Sequence, residues 1–416
     1  MAREMKDSGV EWIGEIPKEW KVIKVKKLFH IGRGRVISKL ELKENGYPVY
    51  SSQTKNNGIL GYIETYDFDK SQITWTTDGA NAGTVFLREG KYNCTNVCGT
   101  LLPKKENEKL KFIEFALKFI TPYYKRADIN GFKIMNNEMA EIPIIYPPLE
   151  EQEKIANYLD KKVTDIDLII EKTKTTIEDY KKYKQSIITE VVTKGLNPNV
   201  EMKDSGIEWI GEIPKHWEVT KVKNIAYKVT DGAHVSPEIE NGIYDFVSTV
   251  NLKNNCIDFD NCLKTSEKSY AQLVLNNCNP KKNDVLISKD GTVGKTVVID
   301  FDKEFIVASS LVIIRTNTDL MNPYFLNYNL KSKYIQDYLI LLMVGAGLKR
   351  VSVEKNANLL ILMPPLEEQQ QIAEYLDKKV AEIDNLIAKK ESLIGEMEEY
   401  KKSLIYECVT GKKEIV

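Results

Sequence analysis

Two glycine-flanked stretches carry the residue types that can meet an anion or the edge of a nucleobase. They are Thr77-Asp78-Gly79-Ala80-Asn81-Ala82-Gly83-Thr84-Val85 and Ser288-Lys289-Asp290-Gly291-Thr292-Val293-Gly294-Lys295. An asparagine amide offers a donor and an acceptor together, and a lysine offers a mobile point charge. Asn81 and Lys295 are therefore candidate donors toward an anionic or base-edge partner. Two-residue Asp-Gly hairpin chemistry accounts for the same spacings equally well.

Bond-making chemistry finds less support. The histidines are three, His30, His216 and His234, so imidazole catalysis starts poorly supplied. Gly294-Lys295-Thr296 ends like a phosphate-binding loop, but Lys289 stands where the first glycine is required. Asn322-Pro323-Tyr324-Phe325 lacks one proline of the amino-methyltransferase tetrad, and no glycine-rich cofactor turn stands upstream in a strand-turn-helix context. It reads as a turn before a helix over Tyr324–Leu341. Glu150-Glu151 and Glu367-Glu368 open helices, where carboxylates favour the positive end of the dipole. Cys94 and Cys98 have no second pair at zinc-like spacing, so neither a metal nor any other cofactor is expected. The six cysteines are too few to staple a chain of 416 residues.

The elements that position these residues emerge from length and patterning. At a prior of about 150 residues per domain, the chain should form two or three folding units. A composition 42% hydrophobic and 29% charged suits a globular protein. The longest apolar run, Tyr338 to Leu348 with two glycines, falls short of the ~18 residues that cross a bilayer, and Met1–Asp7 holds no apolar signal region. A cytoplasmic location and no membrane partner are expected. The net charge of −1 gives no bulk argument for nucleic acid. Locally, residues 1–147 carry 23 Lys and Arg against 18 Asp and Glu, whereas 364–416 carry 8 against 12, so any DNA-facing surface must be patterned.

An internal repeat is the strongest signal. Met5-Lys-Asp-Ser-Gly-Val-Glu-Trp12-Ile-Gly-Glu-Ile-Pro17-Lys-Glu-Trp20 recurs as Met202-Lys-Asp-Ser-Gly-Ile-Glu-Trp209-Ile-Gly-Glu-Ile-Pro214-Lys-His-Trp217, 197 residues on. Pro147-Pro-Leu-Glu-Glu-Gln152 recurs as Pro364-Pro-Leu-Glu-Glu-Gln369, 217 residues on. The chain is a tandem duplication in which each unit is a constant frame around a variable insert, longer by 20 residues in the second copy.

After each Pro-Pro a long helix is expected, over 149–192 and 366–409, or ~66 Å at the standard rise. Leu159, Val163, Ile166, Ile170, Thr173, Ile177, Tyr180, Lys184, Ile187 and Val191 alternate steps of four and three. Adding 217 gives Leu376 through Lys401 to Cys408 in the same register, polar lapses included. Two matched seams predict pairing. The inserts predict strands at Ile73–Thr77, Thr84–Leu87 and Cys98–Leu102, and at Asp284–Ser288, Thr296–Ile299 and Phe305–Ile314. The expected fold is α+β: two mixed α/β domains separated by two long helices pairing as an antiparallel coiled coil, pseudo-twofold symmetric. The expected boundaries are 1–147, 148–200, 201–363 and 364–416.

This architecture resembles the specificity (S) subunit of type I restriction-modification systems, over essentially the whole chain. The residues carrying the resemblance are the duplicated Trp12/Trp209-Ile-Gly-Glu-Ile-Pro opening, the duplicated Pro-Pro-Leu-Glu-Glu-Gln, Thr76 to Val85, Asp290 to Lys295, Ala308 to Ile313, Gly131-Phe-Lys133 and Gly347-Leu-Lys349-Arg350. The resemblance implies two target-recognition domains, each reading one half of a split asymmetric double-stranded DNA site, with the paired helices fixing the unread spacer. It implies two methyltransferase (M) subunits that bind S-adenosylmethionine and methylate adenine, and ATP-dependent translocase-nuclease restriction (R) subunits in the complete assembly. The chain itself would then be a non-catalytic DNA-binding subunit. Half-sites on one face of B-DNA lie ~34 Å apart per helical turn, within reach of such helices. Under this reading the DNA-binding candidates are Arg33, Arg35, Lys55, Asn81 and Lys133 in the first reader and Lys289, Thr292, Lys295, Lys349 and Arg350 in the second. Two other classes stand beside it. An autonomous DNA methyltransferase would have to bind S-adenosylmethionine by itself, and a bare coiled-coil scaffold leaves the divergence of the inserts unexplained.

Overall fold

A computed structural model describes residues 3–11, 13–129, 131–238, 242–253, 256–345 and 349–415. Trp12 and Gly347-Leu348 of the quoted motifs lie outside the described residues. The chain divides into two compact units, residues 1–173 with 392–416, and residues 174–391. Each unit holds one reader, the first part of its own long helix or the last part of the preceding one, and the complementary stretch of the other long helix.

Two sheets of the first reader are built from β1 (Phe29–Arg33), β2 (Tyr47–Tyr50), β3 (Ile59–Ile63), β4 (Gln72–Thr76), β5 (Val85–Arg88), β6 (Asn93–Cys94) and β7 (Cys98–Pro103). An antiparallel sheet runs β1-β7-β4-β5, and a second runs β6-β2-β3 with β6 parallel to β2. The second unit repeats the plan with β8 (Ala226–Asp231), β9 (Tyr244–Val247), β10 (Leu263–Thr265), β11 (Asp284–Ser288), β12 (Thr296–Val298), β13 (Phe305–Val307) and β14 (Leu311–Thr316). Its sheets run β8-β14-β11-β12 and β13-β9-β10, and again only β13 runs parallel to its partner β9 within them. Two inserts without evident sequence similarity thus share one topology.

The two long helices span Leu149–Lys194 and Leu366–Val409. Each start is fastened the same way. The buried Gln152 amide donates back to the Pro147 carbonyl at 2.8 Å, and Gln369 does so to Pro364 at 2.8 Å, closing the first turn with the motif's own last residue. The Trp20 indole donates to Glu151 at 3.1 Å and the Trp217 indole to Glu368 at 3.1 Å, so the two constant motifs of each copy lock onto each other. Both indoles are fully buried. The acidic helix starts therefore do more than favour the dipole.

Within each unit the two helices pack antiparallel. In the first, Asp167 takes Lys401 at 2.5 Å while Lys413 lies over Tyr158, and Ile155, Leu159, Ile166 and Ile170 share a core with Leu404 and Cys408. In the second, Lys184 meets Asp384 at 2.5 Å, and Ile187 and Val191 pack with Ile372, Leu376 and Val380. Lys184 and Lys401, one equivalent pair among the polar lapses of the seam, make equivalent cross-helix ion pairs. Positions of that kind set register at little energetic gain.

Two predicted elements are corrected. Phe305–Ile314 is two strands in different sheets, because the Leu311 N–H turns back to the Ala308 carbonyl at 3.0 Å. Tyr324–Leu341 is two helices, Pro323–Lys331 and Lys333–Leu342, broken at Ser332, whose hydroxyl donates to the Asn329 carbonyl at 2.5 Å. Asn322 caps the first of them, accepting from the Tyr324 and Phe325 N–H groups at 2.9 and 3.0 Å, with Pro323 opening the helix.

Candidate nucleic-acid interface

Both readers concentrate polar side chains where the first strand of the large sheet ends. That strand leaves through Gly34 in the first unit and Gly232 in the second. A Cβ at Gly34 would stand 2.3 Å from the Cys94 and Thr95 carbonyl oxygens, and one at Gly232 would stand 2.0 Å from that of Val307. Only glycine lets the chain cross so closely.

In the first unit this edge gathers Arg33, Arg35, Asn81 and Lys133, with Lys55 on the neighbouring loop. Arg33 donates to the Asn96 carbonyl and to Thr77 Oγ1 (3.2 Å) and faces Asp78 at 3.9 Å. Arg35 pairs with Asp67 (2.9 Å) and Glu41 (3.6 Å). Asn81 fastens the glycine-rich turn to the β2–β3 loop through the Ser52 carbonyl at 3.0 Å. Asp78-Gly79 pairs with Gly131–Lys133, bringing Lys133 to the same edge, where its ammonium meets Asp128 at 2.8 Å. Lys55 is exposed.

The second unit gathers Lys289, Thr292, Lys349 and Arg350 in the same way: Asp290 pairs with Arg350, and the Gly291 N–H donates to the Lys349 carbonyl at 3.2 Å. Lys289 is 8% exposed, its ammonium held between Asp231 and Asp290 at 3.4 Å each. Arg350 reaches Asp290 at 3.8 Å, and Thr292 and Lys349 are exposed. Lys295 parts from this group. Its ammonium donates to the Leu252 carbonyl at 3.1 Å, lining a cavity against the helix pair.

Aligning the strand ends by their hydrogen bonds shows a charge exchange. The N–H of Thr77 donates to the Val97 carbonyl and that of Lys289 to the Ser310 carbonyl, both at 2.9 Å, so Thr77 and Lys289 occupy one position. The parallel bridges Arg35 to Thr95 and Ala233 to Ala308 likewise superpose Arg33 on Asp231. The cation beside the shared aspartate (Asp78, Asp290) sits on the sheet's edge strand in one reader and on its inner strand in the other.

Sequence reasoning missed a third feature, the loop Gln53–Gly58. Asn56 (φ 49°, ψ 44°) and Asn57 (φ 51°, ψ 28°) are consecutive left-handed residues, both exposed. Beneath them lies Arg88, 2% exposed, donating to the Asn57 carbonyl at 2.8 Å and to Thr74 Oγ1 at 3.3 Å. Its guanidinium lies 3.6 Å over the Tyr50 ring and 4.1 Å over Phe86. Burial pulls this guanidinium below its ordinary range. The Asn-Asn-Gly signature of left-handed backbone was the available signal; the arginine's role was not visible without the fold.

Cations, amides and hydroxyls gathered at these edges, with Arg33, Arg35, Lys133 and Arg350 in partly exposed ion pairs, suit contact with phosphates and base edges. Such pairs are worth only ~0–1 kcal/mol and exchange readily for a phosphate. Among the described residues no group of three or more His, Cys, Asp or Glu is assembled to hold a metal ion. Among them, too, no helix is long and apolar enough to cross a membrane.

A doubled α+β reader on antiparallel helices defines a modular recognition protein, and comparison with known proteins identifies its kind. The type I restriction modification DNA specificity domain matches at residues 17–179 and 214–394. The putative type I specificity subunit S.MpnORF507P of Mycoplasma pneumoniae is 29% identical, covering 85% of this chain and 87% of its own. The putative MjaX specificity subunit of Methanocaldococcus jannaschii is 28% identical over 96% and 95%. A chain from a structure of complex assembly and conformational transition in a type I R-M system covers 96% of this chain and 99% of that one, with TM-score 0.71 at 16% identity. The HsdS subunit from Thermoanaerobacter tengcongensis covers 96% and 98%, with TM-score 0.50 at 16% identity. At such identities the two structures speak for the fold alone. The chain belongs to the type I restriction-modification specificity family.

Proposed function

We propose that each reader recognises one half of a split, asymmetric DNA site, and that the paired helices set the unread spacer and dock two methyltransferase subunits. Residues 1–147 and 201–363 act as the target-recognition domains, and 148–200 and 364–416 as the helical spacers. The chain supplies the address and no catalytic group. Its M subunits bring S-adenosylmethionine and the adenine methylation, R subunits complete the assembly, and the complex works in the cytoplasm. The observation that carries this reading is the charge exchange on a common backbone: Arg33 against Asp231 and Thr77 against Lys289 give two identically folded edges different donor patterns. Different patterns select different bases, at ~1–3 kcal/mol for each well-placed bidentate contact. Arg33, Arg35, Lys55, Asn81 and Lys133, with Asn56 and Asn57, serve the first half, and Lys289, Thr292, Lys295, Lys349 and Arg350 the second. Single-molecule methylation mapping of cells carrying this chain and its M subunits tests it: one bipartite motif with unlike halves is expected. A continuous or palindromic motif would refute it.

A further inference from the structure

A cavity of about 1010 Å³ in the 174–391 unit lies between the second reader and the helix pair. Five lysines line it: Lys181 and Lys184 from the first long helix, Lys253, Lys295 beside the glycine-rich turn, and Lys331 at the end of Pro323–Lys331. Three are neutralised locally, by Glu178 (2.8 Å), Asp384 (2.5 Å) and Asp258 (2.7 Å). The other two have no carboxylate within ion-pair distance among the described residues. Lys295 has its carbonyl contact to Leu252, and Lys331 lies 5.8 Å from the Tyr328 ring centroid, with its ammonium pushed down to about 8 by burial. The Tyr328 hydroxyl donates to Asp377 at 2.7 Å.

The two walls bearing these lysines are fastened together. Gln336 Nε2 donates to the Gly294 carbonyl at 3.0 Å and to Leu330 at 2.7 Å, and a Cβ on Gly294 (φ 90°) would meet the Gln336 side chain at 2.5 Å. The turn carrying Lys295 and the helix end carrying Lys331 are thus a fixed pair of cations facing one space. Asp377 and Asp384 act on the Lys331 ammonium only from beyond ion-pair distance and Lys295 holds only a carbonyl, so an anion entering from outside would stabilise both cations. The space is too large for a single phosphate and opens beside the turn assigned above to the second half-site.

We propose that this cavity takes the phosphodiester backbone of the target duplex beside the second half-site, with Lys295 and Lys331 as its phosphate contacts. The inference rests on the DNA-reading assignment above and adds a sequence-independent grip to it.

The test is the salt dependence of duplex binding by the assembled S–M complex, followed by fluorescence anisotropy. Each phosphate contact contributes ~0.9 to the slope of log affinity against log salt. The double variant K295M/K331M should lower the slope by about 2, and K295R/K331R, which keeps both charges, should retain it. An unchanged slope in the methionine variant overturns the proposal. So does a loss of S–M association in that variant on gel filtration, which would make the occupant an acidic surface of the partner. Calorimetric binding of inorganic tripolyphosphate that needs both lysines, with the DNA slope unaltered, would make it a free polyphosphate and equally overturn the proposal. The assignment on which it rests is read separately, as the wild-type complex's preference for its target over a duplex with the second half scrambled. If that preference is missing, half-site reading fails whatever the slope does.

Discussion

Arg88→Met tests whether loop order contributes to the proposed reading of the first half-site. The guanidinium is nearly sealed from solvent, has no carboxylate partner among the described residues, and spends one hydrogen bond, 2.8 Å long, on the Asn57 carbonyl. A hydrogen bond to a charged group is worth ~1.5–3 kcal/mol net. Two consecutive left-handed asparagines store ~1 kcal/mol or more each. The restraint and the strain are of equal size, so removing the arginine frees the Gln53–Gly58 loop to relax. Methionine fills the space over Tyr50 and Phe86 and avoids an uncompensated buried charge. Losing ~2 kcal/mol of pre-organisation weakens binding about 30-fold, at 1.4 kcal/mol per tenfold. The assay is anisotropy of the S–M complex on three duplexes: the target, one altered in the first half, and one altered in the second. Target affinity should fall about 30-fold and first-half discrimination with it, while second-half discrimination stays, which also shows the variant is folded. Full affinity and full first-half discrimination in Arg88→Met would refute the reasoning.

Two further perturbations address the frame. Trp217→Phe deletes the indole donor to Glu368 and should cost ~1.5–3 kcal/mol in urea unfolding; Trp20→Phe, facing Glu151, should cost a similar amount. A negligible effect in either copy would separate the two motifs that the fold joins. Inserting four residues in both helices, after Thr173 and after Glu391, adds ~6 Å at 1.5 Å per residue and turns the helix ~40° beyond a full turn, nearly in phase. Methylation mapping should then show a spacer about two base pairs longer with both halves unchanged, at 3.4 Å per step; an unaltered spacer would remove the helices from that role.

The duplication made the frame legible. Two copies of Trp-Ile-Gly-Glu-Ile-Pro and of Pro-Pro-Leu-Glu-Glu-Gln, with the four-three seam repeating through its polar lapses, located both long helices to within two residues, and Lys184 and Lys401 turned out to hold mirror ion pairs. Strand ends in the inserts followed from β-branched runs to within about a residue, except where a turn hides inside an apolar run. Phe305 to Ile314 reads as one strand because Ala308-Ser309-Ser310 is compatible with extended backbone; only pairing with two different sheets separates it. Ser332 breaks a helix for the same kind of reason, its hydroxyl competing for the Asn329 carbonyl. Among the candidate side chains, glycine-flanked position was a sufficient cue for the edge cluster, but it carried no information on burial. It placed Lys289 beside Lys349 without showing that two aspartates hold it inside, and it grouped Lys295 with a turn whose lysine faces the helix pair. Arg88 sits in an ordinary strand sequence, Val85–Arg88, and nothing local marks it as the support of a loop 31 residues earlier. Contacts of that separation are set by topology.

The central claim is that two separately folded readers each own one half of the address. Exchanging residues 29–140 for the corresponding insert of a relative with a different target, expressing the hybrid with the M subunits and sequencing the methylome tests it most directly. The account predicts a hybrid motif in which one half follows the donor insert while the other half and the spacer stay as they were. A motif in which both halves move, or neither, would contradict it.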